Sequence, residues 1–259
     1  RRAGRRPSAE YWSQGLSAPH VTGPELSGHR MRRMTSRRPR FGLEVLLVLG
    51  VSLGESAVYS ALRIVDLMTR PEPLAQQTTR INESVAPDRP WLDLAYQLAN
   101  LAFPLVPVVL ALYLLAIAAG PPVWPGDDRL RGPGQRVGFD LTRPGFDVGR
   151  GFLVFAGIGI PGLAFYLLAR QIGINTNVQP ANLAENWWTV PVYVLAAAMN
   201  GVVEEVVMLG YLFVRLRQLD WSWWLIVVVS ALIRGSYHLY QGFGGFLGNV
   251  VMGLAFGVL

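Results

Sequence analysis

The chain contains no cysteine. That excludes structural disulfides, thiolate metal sites and a cysteine nucleophile. It also contains no lysine, so all 23 basic residues are arginine. With abundant Ala, Gly, Pro and Val, this points to a high-GC bacterial genome. Charge is scarce as well, at 15% of residues, while 51% are hydrophobic and mean hydropathy is +0.32. An ordinary soluble domain is not built this way, and the apolar residues fall in long blocks, as in a polytopic membrane protein. The net charge of +6 does not imply a nucleic-acid partner, because the arginines sit in a tail and in loops flanking apolar blocks. There they orient the chain in a bilayer.

Three regions follow. Residues 1–40 are rich in Arg, Ser, Gly and Pro without periodicity, and are expected to be a disordered basic tail. Residues 41–168 hold the first membrane helices and their loops, and residues 187–259 hold the segment with ionisable groups. A crossing of ~30 Å of hydrocarbon needs about 20 apolar residues. The expected fold is therefore an all-α transmembrane bundle of about six spans: 41–62, 92–119, 151–168, 190–214, 223–240, and a last one from about 246. At ~1.5 Å per residue the last reaches only ~20 Å by Leu259, so it is expected to be cut short. Pro104 and Pro107 should kink the second span, and Gly157, Gly159, Pro161 and Gly162 should break the third. Residues 63–91, 120–148 and 170–186 read as connections. Arginine is dense in 1–40, 120–148 and 215–217, which puts the N-terminus on the cytoplasmic side of a bacterial plasma membrane.

The fourth span carries Glu204 and Glu205. A charge at mid-bilayer depth costs roughly 2.5–3.5 kcal/mol even on lenient scales, so such residues mark functional cavities by default. On a regular helix Asn200 and Glu204 share one face and Glu205 and Leu209 another. On the fifth span Ser230, Arg234 and His238 form a line at i, i+4, i+8. A carboxylate and an imidazole on facing helices can hold a water and take its proton. The same groups could supply ligands to Zn²⁺, with Glu204 and His238 as the candidate metal ligands. A purely structural ion pair among Glu204, Glu205 and Arg234 is the competing reading. Glu55, on the first span, reads as a bundle-facing structural polar residue. The glycines at 242, 244, 245, 248, 253 and 257 read as close helix packing, since no strand precedes them and no Lys accompanies them.

Val203-Glu204-Glu205-Val-Val-Met-Leu209-Gly210-Tyr211-Leu212, then Ser230-Ala-Leu-Ile-Arg-Gly-Ser-Tyr-His238-Leu, then Phe246-Leu-Gly-Asn249 and Gly253, resemble the CPBP family. These are intramembrane proteases related to eukaryotic CAAX prenyl endopeptidases and bacterial Abi proteins. The likeness spans about residues 187–259. It implies an endopeptidase that hydrolyses a peptide bond of a peptide or protein substrate in or at the bilayer. Glu204 and His238 would activate the water, Glu205 would orient its neighbour or the substrate, and Asn249 would help stabilise the oxyanion. The family is described both as metalloproteases and as metal-free glutamate proteases, so Zn²⁺ stays an open candidate cofactor. Leu209 stands where the Glu-Glu-x-x-x-Arg motif has arginine, and Arg234 stands where the second motif has an aromatic. The resemblance implies a final His-x-x-x-Asn/Asp motif on a later helix that residues 1–259 do not contain, so residues 1–259 alone are expected not to cleave. Two uncompensated carboxylates will not readily stay ionised together, so Arg234 is expected to take over the missing charge, forking to Glu205 and leaving Glu204 for His238. A catalytically inactive scaffold or immunity protein and a proton-coupled transporter using Glu204/Glu205 are the alternatives.

Overall fold

The computed structural model describes residues 40–117 and 142–259. The expected tail and most of the 120–148 connection lie outside the described residues. Most of the rest is helical: α1 (Phe41–Gly50), α2 (Leu53–Met68), α3 (Pro90–Ala102), α4 (Leu105–Ile117), α5 (Pro144–Gln171), α6 (Thr189–Val203), a π-helical stretch (Glu204–Tyr211), α7 (Leu212–Gln218), α8 (Trp223–Ser236) and α9 (Phe243–Val258). Three of these runs are long and apolar enough to cross a bilayer: Pro90–Ile117, Pro144–Gln171 and Thr189–Gln218. The bent pair α1–α2, angled by 53°, makes a fourth if counted as one span. The helices α8 and α9, with 14 and 16 residues, are shorter than a full crossing.

Proline acts differently at its two sites. The second span is interrupted at Phe103–Pro104, between α3 and α4, while Pro107 sits in the first turn of α4, where its missing N–H costs nothing. The break expected at 157–162 does not form. The helix α5 runs unbroken through Pro161 for 28 residues. Nothing lies within contact range of a Cβ placed at Gly157 or Gly162, so no neighbour wedges the helix open there.

The core is centred on the π-helical stretch and α7, packed against α1, α4 and α8, with Val48, Ala111, Leu115, Val207, Leu212 and Ile226 almost fully buried. One cation is sealed inside it. Arg215, fully buried, donates from Nε to Glu44 Oε1 at 2.6 Å, from Nη1 to Gln218 Oε1 at 2.8 Å and from Nη2 to the Leu114 carbonyl at 2.7 Å. Tyr211 donates its hydroxyl to the same Glu44 oxygen at 2.9 Å. The arginine counted as a cytoplasmic charge marker therefore fastens α1 and α4 to α7.

The two connections read as loops meet. Thr78–Arg80 (β1) and Asn177–Gln179 (β2) pair in parallel, and the pair sits over the end of α8. Thr176 N–H donates to the Gln241 carbonyl at 2.9 Å, and Thr79 Oγ1 donates to the Tyr240 carbonyl at 3.2 Å. The helices α8 and α9 pack as closely as their small residues predict. A Cβ at Gly253 would come within 2.8 Å of Ala231 Cα, and one at Gly257 within 2.9 Å of a Val227 methyl.

Candidate active site

The helix that carries the glutamate pair widens where the pair begins. From Glu204 to Tyr211 its hydrogen bonds skip five residues instead of four. Such bulges recur at functional sites because they rotate side chains off the regular helical faces. The spacing rule that grouped Asn200 with Glu204 and Glu205 with Leu209 therefore stops at Glu204. Leu209 turns against the apolar core. Glu205 is exposed, and no hydrogen bond or ion pair reaches it from a described residue.

Arg234, in the last turn of α8, is buried and forms a charge-assisted hydrogen bond from Nη2 to Glu204 Oε2. This corrects the expected Arg234–Glu205 fork: the bulge brings Glu204, not Glu205, to the arginine. Phe256 of α9 lies under the guanidinium, 5.0 Å from its centre. A Cβ at Gly253 would come within 3.4 Å of Arg234 Cδ, so the glycine makes room for this side chain. Two further donors of the guanidinium, Nε and Nη1, are buried without a hydrogen-bond partner, and the Tyr237 hydroxyl is buried beside Glu204. Buried polar groups left unpaired are rare and concentrate where a site awaits a ligand or does chemistry.

His238 lies just past α8, not on it, because the helix ends at Ser236 and turns into a short 3₁₀ segment, Leu239–Gln241. Its Nδ1 is 3.0 Å from the Arg234 carbonyl. A carbonyl only accepts, so Nδ1 carries the proton and, in the neutral ring, Nε2 keeps the lone pair. The ring packs against Tyr237 at 4.7 Å between centroids and is roughly parallel to Tyr240 at 6.3 Å. This turn is clamped from outside. Ser60 of α2 donates to the Tyr237 carbonyl at 2.9 Å, and the β1–β2 edge holds the carbonyls of Tyr240 and Gln241. Gly242 closes it with φ of +114°, and a Cβ there would strike the Ile174 carbonyl oxygen at 2.7 Å. Glycine is the residue that tolerates both constraints.

Glu204 and His238 line one cavity of about 1010 Å³, together with Tyr237, Asn200 and the α2 residues Glu55 and Arg63. Glu205 and Asn249 are not on its wall. Asn249 faces a second, mainly apolar cavity of about 960 Å³ between α5 and α9, where its Nδ2 donates to the Gly245 carbonyl at 2.9 Å and its Oδ1 is buried without a partner. The residues expected to act together thus divide into Glu204, Arg234 and His238 on one side and Glu205 and Asn249 apart from them. No local sequence pattern announces the α2 wall or the bonds by which Thr79 and Thr176 hold the turn after His238.

The described residues do not fit Zn²⁺ by themselves. No three His, Cys, Asp or Glu side chains converge among them as a ligand set, and one Glu204 oxygen is already held by a guanidinium. A catalytic zinc site takes three protein ligands.

Comparisons with known proteins agree with the motif reading on one point. Residues 186–259 match the family model described as type II CAAX prenyl endopeptidase Rce1-like. No curated protein and no solved structure matches the chain. The matched residues include Glu204, Arg234 and His238, the groups gathered at the larger cavity and beside it, so the C-terminal part of this membrane protein is similar to the Rce1-like type II CAAX prenyl endopeptidases.

Proposed function

We propose that the protein is an intramembrane endopeptidase that hydrolyses a peptide bond with a water held between Glu204 and His238. The observation that carries this reading is their common cavity, within a segment of a peptidase family. Arg234 fixes one oxygen of Glu204, which leaves the other for the water. His238, pinned through Nδ1, offers Nε2 as the base. The water oxygen bonds to the carbonyl carbon, its proton passes to the Glu204–His238 pair, and the carbonyl oxygen takes up the negative charge. When the C–N bond breaks, the pair returns that proton to the leaving amine. The unpaired donors of Arg234 and the Tyr237 hydroxyl beside Glu204 add favourable potential where negative charge develops. Glu205 and Asn249 take no step in this scheme, and no step passes through a metal.

The substrate is a peptide or protein at the membrane. The arginine distribution supports a bacterial plasma membrane with the N-terminus on the cytoplasmic side. The test is cleavage of a membrane-tethered peptide library by the full-length protein in liposomes. His238→Gln should lower the rate at least a hundredfold while the variant inserts and elutes as the parent does. An undiminished rate would refute the role of His238.

A further inference from the structure

The wall of the catalytic cavity contributed by α2 carries a charge that nothing in the fold uses. The helix α2 divides its surface three ways. Leu53, Ser60, Ile64 and Leu67 are buried against the bundle. Val58, Val65 and Met68 are exposed and apolar, as a face in contact with lipid requires. Glu55, Tyr59, Arg63 and Asp66, recurring every three or four residues, line the cavity with Glu204 and His238. This third face is polar because it looks into the cavity and not into lipid.

The charges on the cavity wall pair off with one exception. Arg63 binds Asp66 at 2.5 Å, and Glu204 binds Arg234. Glu55 has no hydrogen bond or ion pair from any described residue. A local structural role is available on paper, because Ser52-Leu-Gly-Glu55 has the spacing of a helix capping box. The structure declines it: the Ser52 hydroxyl donates backwards to the Val48 carbonyl at 2.6 Å and makes no cap bond. The chain bends by 53° between α1 and α2, and the first turn of α2 contributes Leu53, Glu55 and Ser56 to the cavity wall. In that first turn the positive end of the helix dipole favours an ionised carboxylate. Glu55 therefore faces the cavity without a countercharge from the described residues.

We propose that Glu55 binds a basic side chain, Lys or Arg, of the polypeptide that enters this cavity, so that the substrate is a peptide with a positive charge near its scissile bond. The proposal rests on the peptidase reading for the fate of the bound segment, but the docking itself does not depend on turnover. Pairing with an incoming cation satisfies Glu55 where it stands, and the same carboxylate repels acidic segments.

The experiment uses the full-length protein in lipid nanodiscs and a fluorescent peptide library in which each position in turn is Lys, Gln or Glu. Binding is measured first, and cleavage on the same peptides second. At one position the Lys peptide should bind about tenfold tighter than the Gln peptide, with the Glu peptide weakest. Glu55→Gln, which keeps size and shape, should flatten that order, and Glu55→Lys should reverse it. A library in which nothing binds, or binding with no charge preference, or a preference that survives Glu55→Gln, overturns the proposal. A Glu55-dependent preference without any Glu204-dependent cleavage overturns the peptidase reading and leaves the docking site standing. Glu204-dependent cleavage that ignores charge does the reverse.

Discussion

Replacing Arg234 by Met should destabilise the protein more than almost any other single change near the cavity, and the size of the loss can be worked from the ion pair. The side chains of Arg234 and Glu204 are only 6% and 17% exposed. Little water is available to screen them or to replace a lost partner. Methionine fills most of the arginine's volume and can still lie over Phe256, so packing is roughly conserved. What is lost is the countercharge, which leaves a carboxylate partly buried and alone. Breaking a buried pair from one side costs about 3–5 kcal/mol, a large part of the ~5–15 kcal/mol that holds a typical domain folded. Removing both charges is different, since a buried pair replaced by apolar groups is often neutral or even stabilising. The double variant Arg234→Met/Glu204→Leu should therefore regain most of the loss. The assay is equilibrium unfolding in mixed micelles of the parent, both single variants and the double, read as a double-mutant cycle with a coupling of at least about 2 kcal/mol. A loss below about 1 kcal/mol for Arg234→Met, or a double variant whose loss is the sum of the two singles, would refute the reasoning.

Two more outcomes are expected from the packing. Arg215→Met takes the countercharge from Glu44 and a donor from the Leu114 carbonyl, so it should cost about 3–5 kcal/mol in the same unfolding assay, while Arg217→Met, which loses a bond to the Trp221 carbonyl at the turn, should cost about 1 kcal/mol. Gly253→Ala places a methyl 2.8 Å from the Ala231 backbone and forces α8 and α9 apart; a loss of about 1–3 kcal/mol is expected, with Gly201→Ala, which meets nothing, as the neutral control.

How much of this was legible before the structure depends on whether the relevant partner is near in sequence. The membrane class, most helix positions, and Glu204 and His238 as candidate residues follow from composition, apolar run length and the rarity of ionisable groups in such runs. The choice of Glu204 over Glu205 as the partner of Arg234 does not. It depends on a π-helical bulge that shifts the register of the helix by part of a turn, and no residue pattern at 3.6 spacing announces it. His238 was read as a helical residue because the apolar run continues to Tyr240, yet α8 ends at Ser236, where the Gly242 turn and the Thr79 and Thr176 contacts take over. Those contacts come from segments 65 and 161 residues away in sequence, beyond the reach of local periodicity. Arg215 was read by its neighbours as a surface charge because its carboxylate partner lies 171 residues earlier. Glu55 was assigned a structural role, the usual one for a lone polar residue in a span. The structure places it on the wall of the cavity that Glu204 and His238 line, where no spacing rule would put it.

The most direct test of the account is the rate at which the full-length protein cleaves a membrane-tethered peptide library, measured for the parent and for Glu204→Gln. Glutamine keeps an oxygen for Arg234 and the shape of the side chain, but it cannot hold or pass on the proton of a water. The account predicts a loss of at least a hundredfold in kcat for the folded protein, alongside a lowered unfolding midpoint from the uncompensated Arg234, and no comparable loss of rate for Glu205→Gln. A Glu204→Gln protein that remains folded and cleaves at the parent rate would contradict it.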